Sequence, residues 1–194
     1  APQLEAFKAK GYEVLFFTDP IDDWLSQDLT SYKEKTLRNI GKGDVDIDSD
    51  EEKAAKEEAR KQAEADNKDL VAAMKEILGD KVKEVRLSKR LTESACCLVS
   101  DEWGMGVHME KIMKAMNPDT PPTKRILELN PDHSLIAALR QVHAKDAKDP
   151  KLAECTEMLY DEALLTAQLP LEDPLAFAKR ISNLMADSLQ EHLK

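Results

Sequence analysis

Few residues in this chain could do chemistry, and they are scattered. The candidate nucleophiles are Cys96, Cys97 and Cys155. Adjacent cysteines are poorly placed to bridge each other, and no C-x-x-C spacing offers a zinc or dithiol site. Their apolar settings predict buried thiols in a reducing compartment, where a free cysteine acts as a small core residue. A thiol enzyme built on Cys96 or Cys97 is a rival reading, but the sequence suggests no partnered base. His108, His133, His143 and His192 make no ligand-spaced set, and His133 reads as a capping or packing residue. The run Asp44, Asp46, Asp48, Asp50, Glu51 and Glu52 alternates like a calcium loop. Counting from Asp44, however, the positions that need Gly and Glu hold Ser49 and Ala55. The run therefore reads as a solvated linker. Asp22 and Asp23 sit where acids complement a helix dipole.

Two further constellations suggest binding instead of catalysis. In residues 103–116, Met105, Met109, Ile112, Met113 and Met116 recur at helical spacing on one face. Methionine is flexible and polarisable and suits surfaces that fit many partners. From the pattern alone a core stripe is the favoured reading, and the excess of Met over Leu keeps the exposed one open. At the C-terminus, residues 150–168 and 174–192 read as an antiparallel helical hairpin. The last helix is too broadly apolar for one neighbour, so the pattern leaves open a monomeric helical domain or a two-fold four-helix bundle.

The elements that must position these groups are mostly helical. Hydrophobic residues make up 42% and charged residues 34%, with aromatics only 5%, so the core is aliphatic. The net charge of −10 argues against a nucleic-acid partner and offers no polybasic patch for a membrane. No run reaches the roughly 18 apolar residues of a membrane span, and no secretory signal pattern occurs. Residues 2–10 predict a short helix ended by Gly11. Residues 14–17 predict a strand covered on both faces, residues 21–25 lie in a second helix, and residues 36–40 predict another strand. So few strands cannot make a covered sheet, which places their partners upstream. Residues 51–78 predict a helix, exposed in its first half and carrying Leu70, Val71, Met74, Ile77 and Leu78 in its second. Residues 82–88 and 95–100 predict strands whose short link favours antiparallel pairing. Asn130-Pro131, Asp149-Pro150 and Asp173-Pro174 predict three helix starts. The fold class is α+β, predominantly helical, with a small antiparallel sheet.

Several strings, in order over nearly the whole chain, resemble the ninety-kilodalton heat-shock chaperones. They are LEAFKAKGYEVL at 4–15, DPIDDW at 19–24, RLT at 90–92, ACCLV at 95–99, HMEKIMKA at 108–115, LELNPDH at 127–133 and LEDP at 171–174. The resemblance implies that residues 1–45 end a middle α/β domain and that residues 46–194 form a dimerisation domain. It implies a homodimer whose four-helix bundle centres on Leu159, Leu164, Leu165, Ile181, Leu184 and Met185. It also implies contact with non-native client proteins through Met105, Met109, Ile112 and Met113, with Met116 next on that face. Client contact extends to Asp23, Trp24 and Gln27. No cofactor belongs to these residues, because ATP and magnesium would sit in an N-terminal domain upstream. The chain would thus be no enzyme by itself. The end Glu191-His192-Leu193-Lys194 lacks the acidic tail of cytosolic eukaryotic members, which points to a bacterial cytoplasmic protein.

Overall fold

The computed structural model describes residues 1–194 apart from Pro20, Asp46 and Lys194 and the side chains of Asp23, Gln27 and His108. Residues Pro2–Leu4 form a 3-10 turn that runs into α1 (Glu5–Ala9). Gly11 follows with φ +71, the left-handed position that stops the helix without a Cβ penalty. Then come α2 (Asp22–Asp28), a two-residue hairpin of β1 (Ser31–Tyr32) and β2 (Lys35–Thr36), and the long α3 (Asp50–Leu78). The rest is β3 (Val82–Leu87), β4 (Cys96–Val99), α4 (Val107–Met116), β5 (Arg125–Leu129), α5 (Ser134–Lys145), α6 (Pro150–Thr166) and α7 (Pro174–His192).

A capping box starts α3. The Ser49 hydroxyl accepts from the Glu52 N–H at 3.2 Å, and the Glu52 carboxylate accepts from the Ser49 N–H at 2.8 Å. Its first half has nothing apolar to bury and stays exposed, as the sequence implies. Its second half buries Leu70, Met74 and Leu78, one residue per turn.

Three strands form a mixed sheet in the order β3-β5-β4. β5 runs parallel to β3, pairing Val85 with Leu127, and antiparallel to β4, pairing Cys96 with Leu129. The predicted antiparallel pairing of β3 with β4 is therefore corrected. The two run in opposite directions but flank β5, and the link at residues 88–95 easily spans the two strand spacings, about 10 Å in all, across it. All of β5 is buried, which suits a central strand covered on both faces.

The two faces have separate cores. On one, Cys96, Leu98, Leu127 and Leu129 pack with Leu70, Met74, Ile136, Leu139, Leu152, Leu159 and Ala163 of α3, α5 and α6. On the other, Leu91, Cys97, Val99 and Ile126 cluster together. Alternation along β4 thus sends the adjacent cysteines to opposite cores. Leu4, Ala6 and Phe7 are also buried. The edge of β4 is covered: the Gln3 side-chain amide donates to the Leu98 carbonyl at 3.0 Å, and Lys42 bridges in parallel to Ser100.

Three other expectations change. Residues 14–17 are not a strand; Leu15 and Phe16 are each 71% exposed, and no strand pairs with them among the described residues. An apolar run becomes a strand only where a ladder partner exists. The strand predicted at 36–40 shrinks to Lys35–Thr36, paired only with Ser31–Tyr32. Finally, α5 starts three residues later than Asn130-Pro131 suggests. Asn130 is spent on a turn, accepting from the Asp132 N–H at 3.1 Å and donating to the Ser94 carbonyl at 3.1 Å. His133 is the cap, its Nδ1 accepting from the Leu135 N–H at 3.1 Å. The starts at Asp149 and Asp173 hold, each carboxylate accepting from a first-turn N–H.

Candidate functional site

Two apolar surfaces rest on a frame of ion pairs, the one beneath α4 buried and the one across α6 and α7 half-buried. The first belongs to the α6–α7 hairpin. Arg180 of α7 forks onto α6, reaching Glu157 at 2.7 Å and Asp161 at 2.5 Å, and fixes the register of the two helices. Burial pushes the Asp161 carboxyl up, even with Arg180 beside it. No residue of α7 is buried. An apolar groove of about 240 Å³ runs between the helices, lined by Leu135, Cys155, Met158, Phe177, Ile181 and Leu184, among others. Beyond the groove, Leu165, Met185 and Leu189 are exposed.

The second surface is α4 with the loop before it. Met116 is 78% exposed and Trp103 92%. Met113 is also exposed, whereas Met109 and Ile112 are half-buried. Met105 does not join the helix, because Gly106 is its extended N-cap and Gly104 and Gly106 break the periodicity. The Met105 carbonyl instead accepts from the Ser100 hydroxyl at 3.1 Å. Among the described side chains of α4 only Glu110 is buried, paired with Arg125 of β5 at 2.6 Å and with Lys114 at 2.8 Å.

Three polar latches hold the N-terminal residues to the sheet and to α3. Glu128, in the middle of β5, takes Arg86 at 2.7 Å and Arg90 at 2.9 Å, with the Ser88 hydroxyl donating at 2.9 Å. Arg90 is 1% exposed and also donates to the Ile40 and Gly43 carbonyls, both at 2.5 Å. Gly43 has φ +58, and a Cβ there would meet the Glu102 side chain at 3.3 Å. In the second latch, Glu5 accepts from the backbone N–H groups of Thr92, Glu93 and Ser94 at 2.8–3.2 Å. Burial alone would raise its pKa, but these bonds and the Ser94 hydroxyl outweigh it and leave the carboxyl below its ordinary value. The third corrects the solvated reading of the acidic run at one residue, Asp48, while Asp44 and Asp50 stay exposed. Asp48 is half-buried, its covered carboxylate lying among Lys10, Lys56 and Arg60 at 2.5–3.0 Å, and Lys10 above all holds its carboxyl down.

Of the residues singled out from sequence, Leu165, Ile181, Leu184 and Met185 are all exposed on the α6–α7 hairpin. Leu159 and Leu164 instead serve the chain's own core, with little surface left for a partner. Trp24 is exposed on α2 beside Ile21 and Leu25, while the Asp23 and Gln27 side chains lie outside the described residues. Sequence reasoning missed Glu110, Arg125, Arg90 and Glu128, whose partners lie 15 to 42 residues away. Burial disfavours the reactive thiolate form at all three cysteines. Burial pushes Cys97 up to about 12, and Cys96 and Cys155 are raised for the same reason. No group of three or more His, Cys, Asp or Glu side chains among the described residues could hold a metal ion, and no described helix is long and apolar enough to cross a membrane.

The family model described as Hsp90 protein matches residues 1–194. The chain is 49% identical to chaperone protein HtpG of Geobacter sulfurreducens, over 95% of this chain and 28% of that protein. It is 46% identical to the protein of the same name from Mycolicibacterium gilvum, over 97% of this chain and 28% of that one. For the Rhodococcus jostii protein of that name the identity is 43%, over 96% and 29%. The chain thus spans less than a third of the length of these relatives. It belongs to the Hsp90 protein family.

Proposed function

We propose that this chain is the homodimerisation and client-contact part of a heat-shock chaperone that hydrolyses ATP. The observation that carries the proposal is α7, a helix of 19 residues with none buried and with one continuous apolar face. A monomeric soluble protein rarely leaves such a face open. A second copy related by a two-fold axis would cover it, because the α6–α7 hairpin then meets its own image as a four-helix bundle. The bundle takes Leu165, Ile181, Leu184 and Met185 from each chain, and Leu159 and Leu164 back them from beneath.

Client contact is assigned to Met109, Ile112, Met113 and Met116 of α4, with Met105 and Trp103 at its approach. Asp23, Trp24 and Gln27 on α2 extend the contact. Two features support this: apolar exposure without a fitted pocket, and side chains that adapt to irregular partners. In this reading residues 1–45 close a middle domain and residues 46–194 form the dimerisation domain, joined by the latches at Glu5, Asp48 and Glu128. ATP and its magnesium ion are bound elsewhere in the full-length protein, and this part works by binding alone. A cytoplasmic location belongs to the same reading.

The test is suppression of aggregation of a chemically denatured client protein. Met109→Glu with Met113→Glu should leave the circular dichroism and solution mass unchanged and lower suppression at least fivefold. If the pair unfolds the chain, α4 is core and the contact reading fails. Unchanged suppression refutes it equally.

A further inference from the structure

An amphipathic helix normally docks by its apolar side, and α4 does not. Glu110 is the sole buried side chain described on it, and Met113 and Met116 stay exposed. At about 100° per residue, Met113, Met109 and Met116 lie roughly 60°, 100° and 120° round the helix from Glu110, all to the same side. Left to apolar burial alone, α4 would roll toward that side and take its methionines inward.

We propose that Glu110 and Arg125 position α4, the ion pair between them being the pin that fixes which side of the helix faces the sheet and which side stays open. This rests on the assignment of client contact to α4 and adds the residues that control it. The pin is well made. Glu110 reaches Arg125 at 2.6 Å, and their side chains keep only 4% and 6% of their surface exposed. Lys114 takes the other carboxylate oxygen at 2.8 Å. Arg125 begins the central strand, so the anchor is the most deeply held element of the sheet. On the far side of the helix cap, the Ser100 hydroxyl holds the Met105 carbonyl. Burial opposes the charge on Glu110, but the hydrogen bonds from Lys114 and Arg125 overcome it, and its carboxyl sits below the ordinary value. A buried pair is screened little by salt, so the pin holds over a wide range of ionic strength.

Amide hydrogen exchange of the full chain tests this. In Glu110→Gln, amides of residues 110–116 should exchange at least tenfold faster, while those of β5 and α6 change less than twofold. Reversing the pin with Glu110→Arg, Lys114→Glu and Arg125→Glu together should restore protection of α4 to within threefold of the starting chain. Unchanged exchange in Glu110→Gln overturns the proposal, as does equal acceleration in β5 and α6, or failure of the reversed triple to restore α4. If Glu110→Gln does not fold, the reversed triple decides alone: native protection of α4 supports the pin and its absence overturns it. Aggregation suppression by the same variants is a separate readout. Loss of protection in α4 with full suppression leaves the pin standing and refutes client contact by α4.

Discussion

Glutamine in place of Glu128 removes the negative charge from between Arg86 and Arg90 while keeping the shape. Arg90 is almost wholly buried, so water cannot take over the role of the carboxylate. Breaking a buried pair by removing one partner costs roughly 3–5 kcal/mol. For a domain of this size each kcal/mol lowers the melting temperature by about 2–4 °C, so the expected drop is roughly 6–20 °C. Urea titration followed by circular dichroism should show the midpoint falling with an unchanged slope. The double variant Glu128→Leu with Arg90→Leu removes both buried charges and should recover at least half of the loss, because an apolar pair of similar volume does not need the missing partner. A Glu128→Gln chain within about 1 kcal/mol of the original would refute the claim that these charges depend on each other. It would also remove the reason for Ile40 and Gly43 to be held at the sheet.

Other outcomes follow from the same frame. The Glu5 carboxyl is held below the ordinary glutamate value of 4.5, so its contribution is complete above that pH and is lost as pH falls through the lowered value. An acid titration should therefore release residues 1–10 before the sheet melts, seen as earlier exchange of those amides, and Glu5→Ala should remove this acid-sensitive step. Iodoacetamide at pH 8 should modify Cys155 first, since it alone of the thiols is partly exposed. Cys96 and Cys97 should react only on unfolding, and early reaction at either would contradict their place in the two cores.

Much of the fold was legible where short-range physics decides. The stripe Leu70, Met74 and Leu78 needs only helical spacing, and Asp149 and Asp173 cap because a proline follows each. The misses share one cause, a partner distant in sequence. β5 was overlooked because Arg125 and Glu128 make it look too charged for a central strand. Glu110, Arg86 and Arg90 neutralise those charges, and only the fold brings them there. Asp48 likewise looked like linker until Lys10 and Arg60 closed on it. Residues 14–17 read as a strand because apolar runs usually find a ladder, and here none is within the described residues. For the candidate site, the exposed faces of α4 and α7 were visible as patterns. Which residues serve a partner and not the chain's own core was not, because a helix as broadly apolar as α6 has more than one apolar side, and Leu159 and Leu164 turn to the core while Leu165 turns outward.

The solution mass of the chain tests the central claim most directly. Leu165, Ile181, Leu184, Met185 and Leu189 each keep between 36% and 64% of their surface uncovered. Covering about half of each of the five should contribute roughly 4–7 kcal/mol per protomer. Sedimentation equilibrium at micromolar concentration should give twice the 21.8 kDa chain mass, and Ile181→Asp with Leu184→Asp should give the single-chain mass with unchanged helicity. A single-chain mass for the unaltered protein at hundreds of micromolar would contradict the account.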